Sequence, residues 1–307
     1  MLLLLDCVAP LTRAAWRAQA AAIPFLVFFI LQWSFGSNPP LSSLSPRSFY
    51  PALLGAAVAF AGVGTLWIWS LSNTTLAQSY LLSNVHGLLI VLLDLVLRQP
   101  VSWLEGIGTL VGFAGAGLTL LDDTGGSDSE ASWKGSLAAF LSAVCLVAYF
   151  KCLRISTSQA PMLLVMMPVT FVNAFIASLV AVIGEGATID ADPCTGLFGW
   201  ATDTWWWMAL YLTLPVGAFG ILGYTLALQV LPALLVSIFM LLEPIIGVAF
   251  GLIIGVNGPP GTWTYVGGAI LLAGTAAVTY GAHKSSQKVI SESTDATPLL
   301  DDAAINT

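Results

Sequence analysis

The chain has 307 residues, of which 57% are hydrophobic and 8% charged, and its formal net charge is −7 at pH 7. Soluble domains carry about 25% charged residues. This composition, with a mean hydropathy of +0.89, therefore excludes a soluble enzyme, a nucleic-acid-binding protein and a disordered chain. It predicts a polytopic membrane protein, because about 20 apolar residues cross the hydrocarbon core as a helix.

The apolar runs predict an all-α bundle of about nine spans. Each run is continuous, whereas a membrane β-strand would alternate polar and apolar residues over about 10 positions. Glycines recur in the fourth and ninth spans, and small residues let membrane helices approach closely. The predicted spans, in chain order, are Leu11–Leu31, Pro51–Ser70, Leu76–Leu97, Val101–Leu121, Trp133–Lys151, Pro161–Ile183, Trp205–Leu228, Ala233–Gly255 and Trp263–Ala282.

The positive charges predict the orientation of these spans, because Lys and Arg mark cytoplasmic connections. They follow the first, third, fifth and ninth spans, so we expect a cytoplasmic C-terminus. These residues are Arg47, Arg98, Lys151, Arg154, Lys284 and Lys288. Arg13 and Arg17 lie at the opposite end of the first span, against this rule. We interpret Leu2–Leu5 as the stub of a missing first helix, with a true nine-helix chain as the alternative.

Two stretches of the sequence resemble each other. Asn84–Asp94 and Leu241–Gly251 are each followed by a Trp and a glycine-bearing helix. The copies begin five spans apart and so cross the membrane in opposite senses. Such inverted repeats are typical of secondary transporters, with the substrate site at their interface. The predicted units are a first repeat of four helices and an outer acidic loop at 1–132, a second repeat of five helices at 133–283, and a cytoplasmic polar tail, typical of disorder, at 284–307.

Several segments resemble the drug/metabolite transporter superfamily, in its EamA-like (nucleotide-sugar or triose-phosphate-translocator-like) form. They are Pro10–Arg17, Gly135–Tyr149, Leu242–Pro244 and the two Trp-to-glycine helices. The resemblance covers nearly the whole chain except a first helix. It implies secondary transport of a small polar or anionic metabolite by alternating access. Many members end the fourth and ninth helices with Gly-Glu, where this chain has Leu97-Arg98 and Gly255-Val256, so the substrate stays open.

Glu243 is the most informative candidate for a substrate-binding residue. It lies near the middle of its span and precedes Pro244. An acid there costs about 2.5–3.5 kcal/mol on insertion scales, and proline removes a backbone donor. His86 occupies the matching place in the first copy, so we expect both side chains to line one pathway, with proton coupling as an option. The alternatives are a protonated glutamate that joins helices and a histidine bonded to a carbonyl.

Other polar residues complete the predicted substrate site. Asn84 and Tyr80 are four residues apart and share a helix face, and Tyr224 lies on the seventh span. Arg17 and Lys151 are placed to meet an anionic substrate. For each residue an interhelical hydrogen bond or a solvated charge is the alternative. Asp94 and Arg98 are also four apart, and we expect them to pair with each other.

No enzyme motif is present: the chain has no HExxH, histidine box or P-loop, so neither a cofactor nor a metal site is predicted. The four cysteines show no paired framework, and no disulfide is predicted from them. A homodimer stays open. The competing function is a non-transporting membrane scaffold or receptor, or a truncated inactive relative.

The tail adds one further expected partner. Asp295, Leu299 and Leu300 resemble an acidic dileucine sorting signal, which implies a cytoplasmic sorting adaptor and favours an endomembrane.

Overall fold

The computed structural model describes residues 7–35, 46–121, 133–223, 233–255 and 260–296. Helices occupy all nine predicted places, and seven helical stretches are long and apolar enough to cross a membrane. The fold is therefore an all-α transmembrane bundle, as predicted. The helices are α1 Pro10–Phe35, α2 Pro46–Leu71, α3 Leu76–Ser83, α4 His86–Val96, α5 Trp103–Thr119, α6 Trp133–Thr157, α7 Met162–Glu185, α8 Trp206–Tyr211, α9 Ala233–Ile254 and α10 Thr262–Ala296.

The third predicted span is broken into two helices, α3 and α4, at Asn84 and Val85. The Asn84 side chain donates to the Tyr80 carbonyl (2.9 Å), which the Asn84 backbone N–H also reaches (3.2 Å). An Asn side chain that competes for a backbone carbonyl in this way interrupts the helical hydrogen-bond ladder. The break leaves α4 without a side-chain cap at its first turn.

The seventh predicted span begins as α8 and widens into a π-helix at Leu212–Leu222. Pro215 lies inside this segment and has no N–H to donate to the carbonyl four residues before it, which accounts for the loss of the regular α-helical ladder. π-Helical turns inside longer helices occur often at functional sites.

The tightest helix pair is α5 with α10, and glycines make it possible. A Cβ added at Gly108 would lie 2.7 Å from the Gly274 carbonyl oxygen, and one at Gly115 would lie 2.6 Å from the Gly267 carbonyl oxygen. The two helices run antiparallel, because residue numbers rise along α5 as they fall along α10. The glycines predicted close helix approach, and this is confirmed for both helices, although their pairing with each other was not predicted. The other main pairs also join the two predicted repeats: α1 packs on α7 and α2 on α6.

A disulfide between Cys7 and Cys194 ties the start of α1 to the segment that follows α7. The sequence did not predict this pairing, because the cysteines are 187 residues apart and neither has a diagnostic spacing. We call this end of the bundle the disulfide face. The Glu185 carboxylate also accepts the backbone N–H groups of Leu11 and Thr12 (2.9 and 3.0 Å), so it caps the positive end of the α1 dipole.

The segment between α7 and α8 is a compact fold of its own on the disulfide face. Gly186 ends α7 with φ +69°, a left-handed conformation that glycine adopts without strain. Asp192 accepts hydrogen bonds from the backbone N–H groups of Cys194 and Thr195 (both 2.9 Å) and from the Thr195 hydroxyl (3.0 Å). These hydrogen bonds lower the pKa of Asp192 below its ordinary value.

The last helix is longer than predicted. α10 continues to Ala296, so the first part of the polar tail is helical and the expectation of disorder is wrong for residues 284–296. Leu299 and Leu300 of the expected sorting signal lie outside the described residues, and that signal stays a prediction.

Candidate functional site

Arg17 is the centre of the candidate site. It projects from α1 with its guanidinium 5.3 Å from the centroid of the Trp67 ring on α2, and it passes within 3.6 Å of the place where Gly64 would carry a Cβ. The side chain is half-buried. Within the described part of the chain its guanidinium donates no hydrogen bond and makes no ion pair. It is therefore a cation held inside the bundle by an aromatic face, with none of its hydrogen-bond donors bonded to a described group.

Three other helices bring polar groups toward Arg17. Its electrostatic partners are Glu243 on α9, Tyr211 on α8 and Tyr80 on α3. The Tyr80 ring also meets Trp67 edge to face, with 5.7 Å between ring centroids. Five helices thus contribute one charged or aromatic side chain each to the space around Arg17, which we call the cleft.

Glu243 points into this cleft because of the face it occupies on α9. Glu243, Gly247 and Gly251 are spaced four apart and share one face of the helix. That face lies on α3: a Cβ at Gly247 would come 2.8 Å from the Tyr80 ring, and one at Gly251 would meet the Leu76 side chain. Glu243 is one turn farther from the disulfide face than Gly247. This places it at the level of the α3–α4 break, where the residue is exposed.

The cleft lies in the half of the bundle nearer the disulfide face. At 1.5 Å per residue, Arg17 is roughly 10 Å along α1 from Pro10, and Tyr80 is roughly 6 Å along α3 from Leu76. Glu243 is roughly 16 Å from the end of α9, near the middle of the span. One cation and one carboxylate at this depth, lined by aromatic rings, can bind a small solute that carries negative charge.

The structure does not bring His86 to this cleft. Its Nδ1 lies 3.3 Å from the Ser83 carbonyl oxygen, and its ring is 5.9 Å from the Phe150 ring on α6. His86 is not among the electrostatic partners of Glu243 within the described residues. Asn84 likewise acts as the C-cap of α3. Both residues belong to the helix break. His86 lies beside a carbonyl, as its alternative interpretation stated, whereas the Asn84 hydrogen bond is within its own helix and not between helices.

Lys151 is engaged elsewhere. Its Nζ lies 2.7 Å from a carboxylate oxygen of Asp94, so it joins α6 to α4 at the end opposite the disulfide face. The expected local pair between Asp94 and Arg98 is wrong, because Arg98 leaves the helix in a left-handed conformation with φ 56°. Tyr224 lies outside the described residues.

Two residues of the cleft were missed in the sequence. Trp67 is four residues from the end of α2, where a tryptophan is ordinarily interpreted as an interfacial anchor. Its distance of three residues from Gly64 was the available signal, because it puts an aromatic ring and an open groove on one helix face. Tyr211 had no comparable signal, since only its place before the π-helix turns it toward α1.

A separate cavity of about 340 Å³ lies between α3, α9 and α10. Its walls are apolar, and none of the cleft residues lines it. The lining includes Ala77, Leu81, Ala249, Leu252, Gly268 and Leu272. Among the described residues no cluster of His, Cys, Asp and Glu is arranged to hold a metal ion.

Comparisons with known proteins show a similarity of fold and no similarity beyond it. No protein-family model matches the chain, and no curated protein matches it. A protein of solved crystal structure is similar to it, with a TM-score of 0.58 over 89% of this chain and 89% of its own and with 18% sequence identity. The overall arrangement of helices therefore recurs in another protein, while the resemblance to the drug/metabolite transporter superfamily stays a prediction.

Proposed function

We propose that this protein is a secondary transporter of a small polar or anionic metabolite that works by alternating access. The observation that carries the proposal is Arg17. A guanidinium inside a membrane bundle, with no hydrogen bond or ion pair to the described protein groups, is stabilised when a solute supplies a negative charge. Intramembrane charges are costly and mark substrate or ion pathways.

The surroundings of Arg17 support a solute rather than a fixed partner. Arginine forms paired hydrogen bonds with carboxylates and phosphates because its donors lie in one plane. Trp67 covers one face of the guanidinium and leaves the edge with its donors available. Glu243 stands across the cleft as the second charge.

The irregular helices support the same proposal. Transporters bind their substrates near the midplane, at helices that are broken there. Here the α3–α4 break lies at the level of Glu243, and the π-helix follows Tyr211 directly. Both interruptions adjoin the cleft.

The inverted repeats remain part of the proposal. They are supported by the packing of counterpart helices on each other: α3 contacts α9, and α5 contacts α10. The α5–α10 contact is antiparallel and reciprocal, because Gly108 faces Gly274 and Gly274 faces Gly108. A pseudo-two-fold axis in the membrane plane requires both properties.

We also propose that the disulfide face is extracellular or lumenal and that the C-terminus is cytoplasmic. Disulfides persist in oxidising compartments, and the Lys/Arg distribution assigns the same face to the outside. A C-terminal epitope tag should be accessible to antibody only after the plasma or organelle membrane is permeabilised. Labelling of intact cells or sealed organelles would overturn this orientation.

Reconstitution tests the transport proposal. The purified protein in proteoliposomes should take up at least one of three anionic probes: L-glutamate, glucose phosphate or UDP-glucose. Arg17→Gln should lower that uptake by about tenfold or more, because a charge-assisted pair contributes about 1.5–3 kcal/mol. Arg154→Gln is the matched control, since Arg154 is exposed at the end of α6, and it should transport normally.

Two results would contradict these assignments. If uptake of all three probes equals that of empty liposomes, the protein does not transport these solutes. If Arg17→Gln and Arg154→Gln have the same small effect, Arg17 does not bind the solute.

A further inference from the structure

We propose that Glu243 carries a proton together with each anion that binds Arg17, so that the protein is an anion–proton symporter. The inference rests on the transport function proposed above. It adds the coupling ion and the residue that binds it.

The charges of the cleft lead to this proposal. Arg17 and Glu243 are the charged residues that the described cleft contains, and they interact electrostatically without direct contact. The empty cleft therefore has one positive and one negative charge. A bound anion brings the total to one excess negative charge in a medium that screens poorly. A proton on Glu243 returns the loaded cleft to neutrality.

Among the described groups that lie near Glu243, none is suited to take that proton in its place. The helices packed on α9 are α3 and α10. α3 presents Tyr80, which is neutral when protonated and ordinarily stays so. α10 carries Tyr265, which lines the separate apolar cavity beside Leu252, and Tyr280, which is exposed; both are phenols that are neutral when protonated. Across the cleft stand Arg17 and Tyr211.

The position of Glu243 suits proton exchange. The residue is exposed rather than tightly packed, and we expect water that enters with the solute to reach its carboxyl. On one side of the membrane a proton from water binds the carboxylate oxygen as the anion binds Arg17. On the other side the anion leaves, Arg17 again faces an empty cleft, and the O–H proton returns to water.

The test separates exchange from gradient-driven accumulation. Proteoliposomes that contain a trapped pH-sensitive dye are given an alkaline interior, and the uptake of L-glutamate, glucose phosphate and UDP-glucose is measured. For a singly charged probe we expect accumulation of about tenfold per pH unit, since one proton moves with each anion. The dye should report acidification of the interior during uptake.

Glu243→Gln resembles the permanently protonated acid. The exchange of internal for external probe that it retains should occur without accumulation under the pH gradient, at a ratio of about onefold, which is equilibration. Glu243→Asp keeps the ionisable group and should keep accumulation. Thermal melting of each variant in detergent checks that the fold is intact.

Each outcome decides between the two proposals. Wild-type exchange without a response to the pH gradient or the dye overturns proton coupling and leaves transport standing. Undiminished accumulation in Glu243→Gln overturns the assignment of the proton to Glu243. Absence of both exchange and accumulation in the wild type overturns the transport proposal itself, and the symport proposal with it.

Discussion

Two helix contacts in this bundle use glycine in opposite ways. Between α5 and α10, Gly108 and Gly115 face the backbone carbonyls of Gly274 and Gly267. Between α3 and α9, Gly247 lies beneath the Tyr80 ring, and Gly251 lies beneath Leu76. The first contact joins backbone to backbone, whereas the second places a side chain over bare backbone.

The difference separates fixed from adjustable packing. Backbone atoms of two helices cannot yield without moving whole helices, and packed interiors tolerate little added volume. An aromatic ring over a glycine can rotate about its χ angles. The α5–α10 contact is therefore suited to a rigid part of the molecule, and the α3–α9 contact to the part that surrounds the cleft.

The largest effect should come from filling the fixed contact. Gly115→Leu puts its Cβ 2.6 Å from the Gly267 carbonyl oxygen, and we expect a loss of stability of at least about 3 kcal/mol, or failure to fold. Gly117→Leu is the matched control on the same helix, because no atom lies within 4 Å of its added Cβ. Thermal melting in detergent measures both. Equal melting temperatures for the two variants would show that Gly115 does not lie in a tight contact. The α5–α10 contact would then not differ from the α3–α9 contact as described.

The second effect concerns a contact that is covalent rather than packed. Reduction of the Cys7–Cys194 disulfide should destabilise the protein by about 2–4 kcal/mol, since it releases the start of α1. A Cys7→Ser/Cys194→Ser variant should melt at the reduced protein's temperature and ignore reductant. The melting temperature of Cys152→Ser, which removes a free cysteine, should still fall when reductant is added. A wild type that melts alike with and without reductant would contradict this.

A smaller effect should follow from filling the adjustable contact. Gly247→Ala places a methyl group against the Tyr80 ring, and the ring can turn away, so we expect a loss of about 1 kcal/mol. The displaced ring intrudes on the cleft, so we expect uptake to fall although the protein stays folded. Adding Tyr80→Ala should restore space and part of the uptake. A stability loss as large as that of Gly115→Leu would show that the α3–α9 contact is equally rigid.

The smallest effect should be a pH dependence on the disulfide face. Because the pKa of Asp192 is lowered, its hydrogen bonds stabilise the segment after α7 at every pH above the ordinary pKa of an aspartate. This stabilisation is lost as the pH falls through the lowered pKa. The melting temperature should therefore drop further in the wild type than in Asp192→Asn below about pH 4. Asp203→Asn, at an exposed position of the same segment, should follow the wild type. Identical pH profiles for all three would exclude the effect.

The sequence predicted the helices well because their signal is local. Continuous apolar runs located all nine places, and the glycines of α5 and α10 predicted that each helix closely approaches another, although not which one. The break at Asn84 was missed because hydropathy does not register a side chain that competes for a carbonyl. The π-helix was missed for a similar reason, since Pro215 alters hydrogen bonding without changing apolarity.

The candidate site was less predictable, because it depends on which faces meet. Arg17, Tyr80 and Glu243 were expected as site residues, and the structure brings them to one cleft. His86 was expected there from its place in the repeat, but the helix break turns it toward Phe150. The partner of Lys151 was also beyond local reasoning, since Asp94 is 57 residues away.

The ties at the start of α1 have a mechanical consequence. The disulfide from Cys7 and the Glu185 carboxylate on Leu11 and Thr12 link α1 to α7 at one end of the molecule. In the proposed transport cycle, these two helices therefore move as one rigid unit that carries Arg17. The opening at that end then requires movement of α9, which brings the Glu243 carboxylate toward the guanidinium or takes it away.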